Sequence, residues 1–208
     1  MKILALETST AQCSCALLIG QERFEDTRYA PRQHTELLLP MIDHLLKSHN
    51  IALKDLDAIT FGQGPGSFMG LRVAASLVQG LAFGAHVPVI PLSTLGILAQ
   101  TAYEQAGFEA VVALLDARMG QIYWGAYQAK KGLMQSVIAD QRTAIEAVKL
   151  PAAEEWKWVG EKVESETDLI LYPQAKALLT LAQAALNTGH TVPPEKAIPL
   201  YLQDQVTG

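Results

Sequence analysis

The residue types best suited to chemistry lie in one glycine-rich stretch, residues 62–70, which holds Gly64, Gly66, Ser67 and Gly70. An apolar run precedes it and apolar residues at helical spacing follow it, which predicts a strand, a tight turn and a helix over residues 67–84. Glycines let a phosphate approach the backbone, and a helix capped by Ser67 would direct free N–H groups at an anion. The same pattern fits a plain strand-to-helix connection, and it favours neither interpretation.

The stretch lacks the other parts of known nucleotide and nucleophile motifs. Gly70 is followed by Leu71 and Arg72 where a P-loop has its lysine. The glycine spacing differs from the dinucleotide-binding fingerprint, and Ser67 does not have the Gly-x-Ser-x-Gly surroundings of a nucleophile elbow. The pattern therefore predicts no assembled catalytic group.

Metal-ligand patterns are missing as well. The five histidines include no pair at i, i+4 and no His-Glu-x-x-His motif. Glu7 ends the first apolar run beside three hydroxyl residues, where it could orient a metal-bound water or a phosphate. A turn that satisfies its own backbone is the commoner role of such residues. We therefore expect no metal and no cofactor.

Composition restricts the class of protein further. The formal net charge of −5 argues against autonomous nucleic-acid binding, which needs a basic patch. No apolar run approaches the roughly 18 residues of a membrane span, and no signal segment is evident. Cys13 and Cys15 are two apart in a predicted strand and are poorly placed to bond to each other. These features predict a cytoplasmic protein with reduced thiols.

The elements around the glycine stretch form two similar series. Residues 2–29 predict a strand meander, and residues 33–48 predict a helix with a kink or a late start at Pro40. A second meander begins near residue 110, with a short helix expected at 143–148 and another helix at 175–186. This repeat predicts a duplicated α/β fold with lobes 1–108 and 109–208, the second reduced and the tail packing back on the first.

Four ordered blocks carry a resemblance to a known family. They are residues 3–10 (ILALETST), 32–40 (RQHTELLLP), 62–72 (GQGPGSFMGLR) and 115–123 (LDARMGQIY). Together they resemble the TsaB (YeaZ) family. The resemblance implies a two-lobe fold of the actin-like, sugar kinase and Hsp70 ATPase type, built from ribonuclease H-like lobes.

The resemblance also implies a function in tRNA threonylcarbamoyladenosine synthesis. In that pathway TsaD transfers a threonylcarbamoyl group from threonylcarbamoyl-adenylate to N6 of the adenosine beside the anticodon, and the ATPase TsaE assists. A TsaB protein is the non-catalytic paralogue that pairs with TsaD, or with itself when alone, and contacts tRNA only indirectly. Where TsaD carries a His-x-x-x-His metal pair, this sequence reads PLSTLGIL at residues 91–98. Glu7 stands where such folds usually have aspartate, which also argues against inherited metal–nucleotide chemistry.

The family implies that the partner binds the helices at 33–48 and 67–84. The candidate interface residues are the apolar side chains of those helices: Leu37, Leu38, Met41, Leu45, Val73, Leu77 and Leu81. Sequence alone does not separate core residues from interface residues among them. With this role, Gly64, Gly66, Ser67 and Gly70 are interpreted as a vestigial phosphate-type turn that now connects a strand to an interface helix.

Two enzymatic alternatives stay open. A peptidase of the glycoprotease type would need an activated Ser67 or a metal, and no histidine is placed in the sequence to serve either. An ATP-binding kinase-like protein would need a phosphate loop in each lobe, and the second lobe offers only the turn at residues 116–120.

Overall fold

Two five-stranded mixed sheets form the framework of the computed structural model, which describes residues 1–152, 155–161 and 167–202. The first sheet has the order β3-β2-β1-β4-β5. Its strands are β1 (Lys2–Glu7), β2 (Gln12–Ile19), β3 (Glu22–Tyr29), β4 (Ala58–Gly64) and β5 (Val89–Ser93). The first three form an antiparallel meander, and β4 and β5 add to β1 in parallel.

The second sheet repeats this plan, with the order β10-β9-β6-β7-β8. Its strands are β6 (Ala110–Arg118), β7 (Gln121–Lys130), β8 (Leu133–Ala144), β9 (Lys157–Gly160) and β10 (Leu169–Ile170). Again three antiparallel strands are followed by two parallel ones. The duplicated α/β fold that the sequence predicted is confirmed.

Within the described residues, four α-helices cover the sheets: α1 (His34–Ser48), α2 (Phe68–Ala85), α3 (Thr94–Ala106) and α4 (Ala175–Asn187). The apolar side chains of β1 show why helices lie on both faces of the first sheet, since successive side chains of a strand point to opposite faces. Leu4 and Leu6 join the core beneath α1 and α2, whereas Ile3 and Ala5 join the core beneath α4.

The helices do not follow the predicted division of the chain at residue 108. α3 packs through Leu95 and Leu98 against the second sheet, while α4, which comes late in the chain, packs through Leu178 against the first. Each sheet is thus covered by a helix from the other half of the sequence. The lobe boundaries 1–108 and 109–208 stay a prediction.

Some element boundaries differ from the predictions. α1 begins at His34 and continues through Pro40, so the predicted late start is wrong; Pro40 lies on the exposed side, where water can bond to a freed carbonyl. The short helix expected at 143–148 is wrong in its first residues, because β8 extends to Ala144 and only Ile145–Ala147 forms a 3-10 turn. β6 likewise runs to Arg118, through half of the predicted turn.

The C-terminal segment, defined here as residues 192–201, returns to the first sheet. Val192 bridges Val89 of the edge strand β5, and Ala197 is fully buried in the first core. Leu200 N then donates to Gln63 O at 2.7 Å. The remaining predicted tail, residues 203–208, lies outside the described residues.

Candidate functional site

The glycine turn joins β4 to α2 as the sequence predicted. Gly64 and Gly66 have φ values of 123° and 155°, a backbone region that residues with a side chain rarely adopt. Ser67 is the N-cap of α2, and its Oγ accepts a hydrogen bond from Gly70 N at 3.3 Å. The helix therefore starts where its first turn can satisfy a free N–H group.

Main-chain oxygens fill the space that these glycines leave. A Cβ atom on Gly66 would lie 2.5 Å from Ser9 O, one on Gly64 2.5 Å from Leu200 O, and one on Gly70 would overlap Thr8 O. Ser67 N also donates to Ser9 O at 2.7 Å, and Thr8 Oγ1 donates to Gly70 O at 2.8 Å. The chain's own packing therefore explains these glycines, which supports a connector, although the vestigial role itself stays a prediction.

A cleft of about 700 Å³ opens beside the turn, between the two sheets. Arg32 and His34 line it from the first half, and Asp116, Arg118 and Glu161 line it from the second. Asp116 Oδ2 pairs with Arg118 Nη1 at 2.9 Å, and Asp116 N donates to Glu161 Oε2 at 3.1 Å. Burial raises the pKa of Glu161. The charges on this wall of the cleft are therefore largely engaged with one another.

Glu7 lies beneath the turn and does not line the cleft. It is 1% exposed; its Oε1 accepts from Ser9 N at 2.6 Å, and its buried Oε2 has no hydrogen-bond partner and lies against Gly62. Burial raises the pKa of this carboxyl from 4.5 to about 7. Over the described part of the chain, no group of three or more His, Cys, Asp or Glu side chains is arranged to hold a metal ion.

Ser67, which a peptidase would have to activate, and His34, a histidine that lines the same cleft, both have other contacts. Ser67 Oγ caps α2, and a hydrogen bond of 3.1 Å joins His34 Nε2 to Gln12 O. His34 is buried, with one ring nitrogen held by the main chain. The structure thus shows no imidazole paired with Ser67 among the residues described.

The predicted interface residues divide into two groups. Leu38, Met41 and Leu45 of α1 are buried in the core of this chain, so they are unavailable to a partner in this conformation. The other four, Leu37, Val73, Leu77 and Leu81, are partly exposed and pack at the edge of that core. At about 100° per residue, Val73, Leu77 and Leu81 form one flank of α2.

The centre of the exposed face of α2 was missed by the sequence reasoning. Met69 is 64% exposed and Phe83 is 73% exposed, and Ser76 and Gly80 between them are exposed as well. The signal was present, because these positions fall at helical spacing opposite the buried residues of α2. Among the residues that the structure describes, six of the twelve exposed large apolar ones lie on α2 or at residues 198–201. The exposed apolar surface is therefore concentrated here.

α2 also corrects the statement that no segment is long enough to span a membrane. Its 18 residues have a mean hydropathy of 1.4 and are 39% buried. Polar residues such as Arg72 and Ser76 interrupt the apolar residues, so the sequence shows no continuous apolar run of this length. Core helices of soluble proteins pass the same test of length and composition, so the property alone assigns no membrane role.

Comparison with known proteins decides the family. The family model of TsaD, tRNA N6-adenosine threonylcarbamoyltransferase, matches residues 27–157. TsaB of Haemophilus influenzae is 37% identical over 100% of this chain and 95% of its own length, and TsaB of Escherichia coli is 35% identical over 99% and 96%. The chain belongs to the TsaB (YeaZ) family. The solved structure of YeaZ from Pseudomonas aeruginosa is 40% identical, with a TM-score of 0.89 over 97% of this chain and 99% of that one.

Membership of the TsaB family accounts for the two mixed sheets and their helices. The α/β architecture is the one shared with the solved YeaZ structure. The match to the TsaD family model places this TsaB-family chain and the transferase in one sequence group.

Proposed function

We propose that this chain is a non-catalytic subunit that binds and activates TsaD in tRNA threonylcarbamoyladenosine modification. TsaD would transfer the threonylcarbamoyl group from threonylcarbamoyl-adenylate to N6 of the adenosine beside the anticodon, with TsaE in a ternary complex. This chain would contact tRNA only indirectly, act in the cytoplasm and carry no cofactor.

The observation that carries the proposal is the exposed apolar face of α2. Met69 and Phe83 lie on it, and Gly80 at its centre has nothing within 4 Å of the position of a Cβ. Small residues let a second helix approach closely, and the flanking apolar side chains then become buried. A helix of a related fold is a suitable partner, and the named relatives are biosynthesis proteins of tRNA threonylcarbamoyladenosine.

The packing of the glycine turn supports the non-catalytic part of the proposal. Carbonyl oxygens of Thr8, Ser9 and Leu200 lie against the three glycines on the side where a Cβ would point, so these glycines are required by the packing of the chain itself. Glu7 is bound by the main chain of Ser9 beneath this turn. The turn therefore serves to fix the N-terminus of α2 rather than to bind an anion.

Reconstitution tests the activating role. Purified TsaD and TsaE, with tRNA and threonylcarbamoyl-adenylate generated in place, are assayed with and without this chain. We expect modification to depend on the chain. Equal modification in its absence would contradict the proposal.

A charge on the α2 face tests the interface. Phe83→Glu should abolish co-purification with TsaD and dissociate the homodimer that we expect for the isolated chain, as measured by light scattering. Val137→Glu is the matched control, since Val137 is 46% exposed on the edge strand β8, away from α2. If Phe83→Glu co-purifies as well as Val137→Glu, the interface lies elsewhere.

A further inference from the structure

The C-terminal segment runs along the whole length of α2. Pro193 and Pro194 line a pocket with Phe83 and His86 at the C-terminal end of the helix. At the other end, the ring of Tyr201 lies 5.7 Å from the ring of Phe68. Because Leu200 is hydrogen-bonded to β4, the segment is held in this position.

Near its last residue, Tyr201, the C-terminal segment holds the side chain of Arg72 in place. Arg72 Nε donates to Tyr201 Oη at 3.1 Å, and the guanidinium carbon lies 3.8 Å from the centroid of the Phe68 ring. Phe68 is 53% exposed and Tyr201 is 47% exposed, so this Arg72 cluster (Phe68, Arg72 and Tyr201) forms part of the surface. Stacking and a hydrogen bond together restrict a side chain that is otherwise mobile.

The guanidinium has no counter-ion in the described part of the chain. Arg72 is the only charged residue in α2, and none of its described contacts is with a carboxylate. The hydrogen bond to Tyr201 uses Nε, which leaves both Nη groups as donors. A planar, pre-oriented guanidinium with free donors is well suited to a carboxylate.

The Arg72 cluster is continuous with the exposed face of α2. At about 100° per residue, Phe68 and Arg72 lie on the flank opposite Val73 and Leu77, with Met69 between the two flanks. A partner helix that covers Met69 and Gly80 would therefore pass beside Arg72 and Tyr201.

We propose that the C-terminal segment completes the docking face of α2, and that Phe68 and Tyr201 hold Arg72 as the binding point for a carboxylate of the TsaD partner. The inference rests on the proposed function, because it assumes that TsaD covers this face. It favours TsaD over a second copy, since α2 of a second copy contains no acidic residue. Tyr201 is a positioning residue that also contributes contact area.

A double-mutant cycle tests the proposal with intact proteins. The dissociation constant for purified TsaD is measured by calorimetry for wild type, Arg72→Met, Tyr201→Ala and the double variant. Arg72→Met should weaken binding about tenfold and reduce its salt dependence, because the charge is lost and most of the stem is kept. Tyr201→Ala should weaken it several-fold, and the double variant should lose little more than Arg72→Met alone. Lys131→Met removes an exposed cation at the β7–β8 turn and should bind like wild type.

The outcomes separate this inference from the proposed function. If Arg72→Met and Tyr201→Ala bind like wild type while Phe83→Glu does not bind, the α2 interface stands and the carboxylate contact is wrong. If Arg72→Met weakens only the homodimer, the occupant is a second copy and the inference is wrong. Additive losses in the double variant would show that Tyr201 does not act through Arg72. If wild type does not bind TsaD, both proposals fail.

Discussion

Helices α2 and α3 are capped in the same way at their N-termini, but α3 is covered by the rest of the chain and α2 is not. Each follows a parallel strand of the first sheet and starts at a serine whose Oγ accepts from the N–H group three residues on: Ser67 from Gly70 at 3.3 Å and Ser93 from Gly96 at 3.2 Å. From Thr94 to Ala102 every residue of α3 is buried, between the second sheet and α4. α2, which is the more apolar, leaves one face in water.

Two buried polar residues of α3 find hydrogen-bond partners within the chain. Gln100 Nε2 donates to Gly132 O at 3.2 Å, and its Oε1 accepts from Met134 N at 2.9 Å. Thr101 Oγ1 donates to Ile97 O at 2.8 Å. Gln100 and Thr101 are satisfied in this way, while the buried Thr94 Oγ1 has no hydrogen-bond partner. Because α3 exposes no large apolar side chain, it offers no surface for a partner, whereas the exposed apolar side chains of α2 indicate one.

The largest expected effect is on stability and separates the two helices directly. Leu98→Ala removes a fully buried side chain of α3 and should lower the free energy of unfolding by about 2–5 kcal/mol. Phe83→Ala on α2 should change it by less than about 0.5 kcal/mol, because the ring is 73% exposed. Urea denaturation of the isolated chain, at a concentration where light scattering shows a monomer, measures both. If the two variants lost similar free energies of unfolding, α3 would not differ from α2 in how well the chain covers it.

The second prediction concerns the buried carboxyl beneath the start of α2. Burial raises the pKa of Glu7 to about 7 from 4.5, so the folded chain keeps a proton that the unfolded chain releases. Stability should therefore fall as pH rises from about 4.5 to about 7 and then level off. Glu7→Gln lacks this ionisation and should gain up to about 3 kcal/mol relative to wild type across that range.

Denaturation at several pH values checks the prediction for Glu7. Glu22→Gln, on the exposed start of β3, is the control and should follow the wild-type pH profile. Parallel profiles for wild type and Glu7→Gln would show that Glu7 is not held in its protonated form, and that the turn before α2 is more hydrated than its packing suggests.

Local signals predicted much of the fold. Ser67 was predicted as the cap of the helix after the glycine turn, and the structure places it at the N-cap of α2. These signals act within a few residues, so the sequence contains them directly. The repeated meander was found for the same reason, since strand alternation and turn residues are local.

Contacts between distant parts of the chain were not predictable. Arg72 and Tyr201 are 129 positions apart, and nothing near either residue indicates the other. Leu38 and Leu37 are adjacent apolar residues of α1, and only the position of the sheet decides that the first is buried and the second is partly exposed. The interface prediction therefore included three residues that are buried in the core, Leu38, Met41 and Leu45, and the choice of helices stays a prediction.

The smallest effect expected is at two glycines of the same helix. Gly80 has open space at its Cβ position, so Gly80→Ala should stabilise the isolated chain by about 0.5–1 kcal/mol through helix propensity. Gly70→Ala should instead destabilise it by about 1–3 kcal/mol, because its Cβ would overlap Thr8 O. Thermal denaturation of the two variants measures whether each substitution raises or lowers stability.

If α2 is an interface helix, Gly80→Ala should also weaken TsaD binding while raising stability, since the added methyl holds the partner helix away. A variant that is stabilised and binds unchanged would show that close helix contact occurs at another part of α2.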